Sequence, residues 1–185
     1  ISLLDLSGLS FFKLEQETVI KEFDCNDESL NNFLFNKSKP YSLEFLSTTF
    51  IIEDKQQTVA YFSVFNDSLK VEEEEFASKN ALKRFLKNLV SHPKRHLEYF
   101  PAIKIGRLAV NKNIKKSGLG KMMINYIIDY ALKQNEKCAC KLITVDAYNQ
   151  SLGFYEKMGF EYLSPNDEDE DTRQMFLNLS QFISE

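Results

Sequence analysis

Alternation of hydrophobic and polar residues lays out an ordered series of elements along this chain. Residues 47–52 and 58–65 alternate with a period of two and are rich in β-branched and aromatic side chains. The polar residues 54–57 between them predict an antiparallel hairpin. Shorter runs of the same kind at 11–14 and 19–23 predict N-terminal strand material. Over 27–35 the period becomes helical, with Leu30, Phe33 and Leu34 on one face and Asn26 or Asp27 placed as the cap. A longer stretch, 72–90, sets Phe76, Leu82, Phe85, Leu86 and Leu89 against charged positions. It predicts one helix whose leading glutamates, Glu72 to Glu75, suit the positive N-terminal end. After a loop at 91–101, residues 103–110 predict a strand, 119–134 a long helix and 141–147 another strand. Residues 151–157 then predict a helix, and 160–163 with 174–179 a closing hairpin tipped by the acidic run 166–171. This order predicts a mixed α/β fold with helices packed on both sides of a partly antiparallel sheet.

Composition narrows the picture. A chain of 185 residues is expected to form a single domain spanning 1–185, long enough to bury a sizeable core. Phe occurs 16 times and Trp not at all, so aromatic packing must rest on Phe and Tyr. A formal charge of -4 argues against a broadly basic nucleic-acid binder. It leaves room for a local basic patch at Lys83, Arg84, Lys87, Lys94 and Arg95. The three cysteines, Cys25, Cys138 and Cys140, are too few for a disulfide framework. Cys138 and Cys140 alternate in a stretch with strand character, where one face would hold both as reduced thiols, and a cytoplasmic location is expected. No apolar run approaches the roughly 20 residues needed to cross a membrane.

The richest segment is Arg107-Leu108-Ala109-Val110 running on to Lys115-Lys116-Ser117-Gly118-Leu119-Gly120. An apolar strand enters a basic, glycine-containing turn that opens directly into a helix. Such a connection points backbone N–H groups and the positive end of the helix dipole at one spot, a ready site for phosphate. Lys112, Lys115, Lys116 and Lys121 add mobile charge. Alone, the segment also reads as a tight strand–helix connection with solvated lysines. A second segment, Val145-Asp146-Ala147-Tyr148-Asn149 followed by Phe154-Tyr155-Glu156-Lys157-Met158-Gly159-Phe160, sharpens the reading. Together the two resemble the GNAT N-acetyltransferase superfamily, whose acyl-CoA turn reads [Gln/Arg]-x-x-Gly-x-Gly/Ala and whose later block ends in a Tyr followed by Gly-Phe.

The resemblance implies a twisted, mostly antiparallel sheet splayed between its central strands, and acetyl-CoA as co-substrate. It implies that the main chain of Lys115, Lys116, Ser117, Gly118, Leu119 and Gly120 holds the pyrophosphate. The main chain of Leu108, Ala109 and Val110 would pair with the pantetheine arm, a backbone N–H near Val110 facing the thioester carbonyl. Tyr155 matches the family tyrosine that protonates the departing thiolate; read without the family, it is equally a core tyrosine. Asn149 matches a coenzyme-binding Asn, at a spacing one residue shorter than usual, with an N-cap as its alternative role.

Many relatives carry a glutamate base on the strand before the turn, and residues 103–110 contain no carboxylate. Glu98, Tyr99 and His96 lie just upstream. An α-amine, with a pKa of roughly 7.7–8.0, needs far less activation than a lysine near 10.4, which favours an α-amine or another weakly basic acceptor. His92 and His96 have i, i+4 spacing, but Pro93 between them and the lack of further ligands argue against a metal. The acidic run Asp167 to Asp171 is either an attractor for a cationic amine or a solvated loop tip.

A narrower likeness is carried by Phe23-Asp24-Cys25-Asn26, Leu30-Asn31-Asn32-Phe33-Leu34, Arg107 to Val110 and Phe154-Tyr155. These are similar to toxin-type GNAT enzymes, which acetylate the α-amine of aminoacyl-tRNA. The overall acidity and the long 72–90 insertion depart from that pattern. The acceptor thus stays open among a small amine, a peptide N-terminus and aminoacyl-tRNA, with tRNA contact through the basic patch and a homodimer as open partners. A catalytically silent acyl-CoA-binding sensor is the reading of a different class.

Overall fold

Seven strands form the framework: β1 (Ser10–Lys13), β2 (Thr48–Glu53), β3 (Thr58–Lys70), β4 (Tyr99–Val110), β5 (Leu142–Tyr148), β6 (Glu161–Tyr162) and β7 (Thr172–Asn178). The computed structural model describes residues 8–91, 97–114 and 118–183 and places them in one sheet of order β1-β2-β3-β4-β5-β7-β6. The pairs β1/β2, β2/β3, β5/β7 and β6/β7 are antiparallel. Five α-helices accompany them: α1 (Glu28–Asn32), α2 (Ser38–Leu43), α3 (Lys79–Leu89), α4 (Leu119–Gln134) and α5 (Leu152–Lys157). The chain divides into two compact units, Ile1–Phe65 with Ile105–Ile127, and Asn66–Lys104 with Ile128–Glu185.

In the first unit the predicted hairpin is present and its register separates two cores. Phe50 opposes Phe62, and Ile51 opposes Tyr61. Consecutive strand residues point to opposite faces. Phe50 and Phe62 stack at 5.0 Å and meet Tyr126 of α4 at 5.4 and 5.8 Å, and Phe11 closes on Tyr126 at 4.5 Å. On the other face Ile51 and Tyr61 pack with Phe23, Phe33, Leu34 and Ala109. Helical segments therefore cover both faces here. Burial of each such large apolar side chain contributes about 1.5–3 kcal/mol.

The helix expected over 27–35 begins as expected, with the Asp27 carboxylate accepting from Leu30 N at 3.0 Å. It does not stop at 35. A π turn at Phe33–Lys37 widens the spiral and hands over to α2, which buries the adjacent pair Phe33 and Leu34 together. After α2 the chain passes through Phe45 in a left-handed conformation, φ 57°, with its ring 96% exposed. Residues 19–23 form no strand. The Glu22 and Asp24 carbonyls accept single bonds from Thr58 N and Lys112 N rather than joining a ladder, and Val19 lies open to solvent.

The second unit is built on Leu69, Val71, Phe100, Ala102, Leu142, Leu163 and Phe176, against which Leu82, Leu86 and Leu89 of α3 are buried. The single helix expected over 72–90 is broken in two. Glu72 and Glu75 close a capping box around a short 3₁₀ turn at Glu73–Glu75, Phe76 is extended, and Ser78 caps α3 afresh through Ala81 N. The glutamates thus serve their own turn rather than the start of α3. Cys138 and Cys140 precede β5 instead of lying in a strand. Cys138 is exposed, while Cys140 is buried and its backbone is clamped by both ends of the Asn135 amide. Burial pushes the Cys140 thiol up. The acidic run does form the β6–β7 tip, where Asp167 accepts from Arg173 Nε and Gln174 N, and Arg173 lies 4.0 Å over the Tyr162 ring.

Candidate active site

The end of β4 is where the sequence concentrates its chemistry. Ala109 is buried, while Leu108 and Val110 on either side are half-buried. Asn111, 3% exposed, ends the strand: its N–H donates to Val59 O, its Nδ2 to Gln57 Oε1 and Thr58 O, and its Oδ1 accepts from Asn113 N. The chain then makes a 3₁₀ turn at Lys112–Ile114. Lys112 Nζ sits 2.7 Å from Asp24 Oδ2. That ammonium, together with the Asn26 N–H and the Asn31 amide, holds the Asp24 carboxyl well below the usual carboxylate range. Asn31 Oδ1 in turn accepts from Cys25 N. The Phe23-Asp24-Cys25-Asn26 and Asn31 signature is accordingly a latch that fixes the end of β4. It borders a cavity of about 410 Å³ lined by Phe23, Asp24, Phe35, Gln57, Asn111 and Lys112. Sequence reasoning missed Asn111; the available signal was an amide directly after an apolar strand, at the point where the chain must turn.

Lys115, Lys116 and Ser117 lie outside the described residues. Beyond them Gly118 adopts φ 88° and is exposed, and its carbonyl accepts from Met122 N at 3.1 Å as α4 begins. Leu119 is buried and anchors the helix start, with Gly120 half-buried behind it. Gly118, directly before this 16-residue helix, brings no side chain of its own to the first N–H groups, an arrangement suited to an anionic ligand. The left-handed Gly118 makes that entry accessible without a Cβ. These features fit a bound diphosphate.

In the second unit Tyr155 lies on α5 and is 5% exposed, wedged edge-on between Phe154 and Phe160 at 5.1 and 5.2 Å. Burial pushes its phenol up, far from ionisation at neutral pH. Among the described residues its hydroxyl has no hydrogen-bond partner. Gly159, φ 89°, ends α5 with Phe160 N bonded back to Tyr155 O at 3.0 Å. Asn149 is exposed and caps nothing; its Nδ2 donates to Glu170 O in the acidic tip. A cavity of about 440 Å³ in the same unit is lined by Glu75, Lys104, Asp146, Asp167 and Glu170 among others. Lys104 is paired there with Asp146 at 2.7 Å.

Neither Lys104 nor Arg107, the charged residues of β4, is a base. Glu98 and Tyr99 are exposed at the start of that strand, and His92, Lys94, Arg95 and His96 lie outside the described residues. Lys83, Arg84 and Lys87 are exposed on α3 and make no ion pair among the described residues. Among those residues no group of three His, Cys, Asp or Glu is placed to hold a metal, and no helix is long and apolar enough to cross a membrane.

The profile described as Acetyltransferase (GNAT) family matches residues 44–160, which takes in β2 to α5 and both motif segments. The chain belongs to the GNAT acetyltransferase family. Acetyl-CoA is the co-substrate of GNAT enzymes. No curated protein matches the chain. Solved structures share the GNAT fold at low identity. One is a tyrosine-to-phenylalanine mutant of KacT, at 19% identity and TM-score 0.75, covering 95% of this chain and 99% of that one. A second is the AtaT mutant toxin bound to the C-terminus of the antitoxin AtaR and acetyl-CoA, at 17% identity and TM-score 0.70, covering 94% and 95%. A third is AtaT complexed with acetyl-methionyl-tRNAfMet, at 18% identity and TM-score 0.72, covering 94% and 96%.

Proposed function

We propose that this GNAT protein is an acetyl-CoA-dependent N-acetyltransferase acting on a weakly basic primary amine by direct attack, with Tyr155 as the general acid. The observation that carries the proposal is a phenol ring that is 5% exposed, kept protonated by desolvation and with no hydrogen-bond partner among the described residues, at the position matching the family tyrosine. A phenol held neutral and unclaimed is suited to give its proton to a leaving thiolate.

Acetyl-CoA supplies the activated carbonyl. The N–H groups at Gly118 to Gly120, with those of Lys115, Lys116 and Ser117, would hold its diphosphate. The main chain of Leu108, Ala109 and Val110 would pair with its pantetheine arm, the N–H near Val110 facing the thioester oxygen. Asn149 would bind the coenzyme as well. The neutral amine attacks the carbonyl carbon, the C–S bond breaks as the C–N bond forms, Tyr155 protonates sulfur, and the ammonium proton leaves to solvent. The tyrosinate then recovers a proton from water. With no carboxylate on β4, the reaction relies on an acceptor that is already partly neutral, which an α-amine is and a lysine is not. The likeness of fold to AtaT, solved with acetyl-methionyl-tRNAfMet, supports the aminoacyl-tRNA α-amine as one such acceptor. The exposed Lys83, Arg84 and Lys87 would meet its backbone.

Thiol release from acetyl-CoA, measured over a panel of small amines, peptide N-termini and charged tRNAs with product masses determined, tests this reading. Acetylation of at least one α-amine is expected. Tight coenzyme binding with no transfer to any member would instead identify a sensor and refute the enzyme.

A further inference from the structure

Building on the acetyl-transfer reading, we propose that Arg107 recognises an oxyanion on the acceptor, so that the substrate amine belongs to a molecule carrying a phosphate or carboxylate beside it. Arg107 is half-buried on β4. No carboxylate among the described residues pairs with it. Its Nη1 donates to the Gly106 carbonyl, and its guanidinium lies 5.0 Å from the centre of the Phe33 ring. Phe33 is itself held by Tyr61, stacked at 6.3 Å, and by Tyr41, edge-on at 5.6 Å. One hydrogen bond and one ring thus hold the cation, while most of its five N–H donors are unspent.

An arginine withdrawn from water without a counter-ion is unfavourable, and this chain has 27 acidic residues from which to supply one. Lys104, three residues earlier on the same strand, has received a partner in Asp146. Arg107 has not. A stacked, oriented fork that lacks an internal carboxylate suits the bidentate capture of a ligand oxyanion. The face it occupies is the one shared by Ala109, Ile51 and Tyr61. On that face Thr49, 1% exposed, also keeps an unpartnered hydroxyl. Arg107 directly precedes Leu108, one strand rise of about 3.3 Å from the main chain proposed to hold the thioester arm. Fixing the acceptor by its anion at that point would bring its amine to the carbonyl.

The test uses the full chain as wild type, Arg107→Gln and Arg107→Lys, with two pairs of acceptors. Methionine against methioninamide probes a carboxylate, and 3′-O-methionyl-AMP against 3′-O-methionyladenosine probes a phosphate. Thermal midpoints and acetyl-CoA affinity by calorimetry serve as controls of folding and of the donor site. For the anionic member of at least one pair, Arg107→Gln is expected to raise KM about 10- to 100-fold, the scale of lost hydrogen bonds to a charged group. Neutral members should be unaffected, and Arg107→Lys should recover only part of the loss. An equal change for charged and neutral members, or weakened acetyl-CoA binding, would overturn the proposal. If no acceptor is acetylated at all, the acetyl-transfer reading itself falls. Calorimetric binding of inorganic phosphate and of methionine then decides for Arg107: binding lost in Arg107→Gln supports the oxyanion site, and equal or undetectable binding in both proteins refutes it.

Discussion

Replacing Tyr155 by Phe removes one oxygen from a position that is 5% exposed, and the structure gives opposite signs for its effects on stability and on turnover. The ring is buried, and its hydroxyl has no partner among the described residues. No protein hydrogen bond is lost with it, and the desolvation it does suffer costs at most the about 1–3 kcal/mol of a fully buried unpaired group. Phe conserves the ring contacts with Phe154 and Phe160. The variant should therefore be as stable as the wild type, or more stable by up to that amount. Turnover should fall by about 10²–10⁴-fold, the range for loss of a general acid. Acetyl-CoA affinity should hold, because the phenol is asked to act only as the C–S bond breaks. Urea denaturation, calorimetry with acetyl-CoA and a thiol-release assay measure the three quantities on one preparation. A tyrosine bonded within the core would behave in reverse, losing about 0.5–1.5 kcal/mol with activity intact. That pattern would refute the assignment.

Gly118→Ala places a Cβ on a backbone at φ 88° at the mouth of α4; acetyl-CoA affinity measured by calorimetry should drop while kcat at saturating coenzyme changes little. Gly159→Ala faces the same backbone conflict at φ 89°, while its new Cβ would meet Leu177 Cδ1 at an ordinary 3.5 Å. The left-handed strain alone should destabilise it by about 1–2 kcal/mol, read from the urea midpoint. Asp24 has a folded pKa below its unfolded value, so its contribution to stability is complete above about pH 4 and is lost as pH falls below that, through the folded pKa. Asp24→Asn should accordingly flatten the acid side of the stability–pH curve, measured by chemical denaturation at a series of pH values.

Much of this architecture follows from period. The β2–β3 hairpin and α4 are written in alternation and in helical spacing; α4 and β2 fall within a residue of expectation, while β3 starts as expected and runs on past residue 65 to Lys70. Failures arose where a local bond outweighed the pattern. The helix at 27–35 runs on through a π turn at Phe33–Lys37 into α2, a widening that a 3.6-residue template does not contain. Residues 72–90 divide because Glu72, Glu75 and Ser78 offer two capping sites within seven positions, and both are taken. The stretch 19–23 has β-rich composition but finds isolated donors in the Thr58 N–H, to Glu22 O, and the Thr58 hydroxyl, to Lys21 O, instead of a neighbouring strand. For the candidate site, the glycine turn and Tyr155 were legible through family motifs. Arg107 stood in the toxin-type Arg-Leu-Ala-Val stretch but drew no role from it, since only coordinates reveal that a cation lacks a carboxylate.

The bonds that Asn111 and Lys112 make to Gln57, Thr58 and Asp24 leave the strand terminus anchored independently of whatever follows it. A lineage can then trade residues in the adjoining basic connection, adjusting which acyl donor is gripped and how firmly, while the interior keeps its arrangement. Specificity and foldability become separately evolvable across a boundary of a few amides.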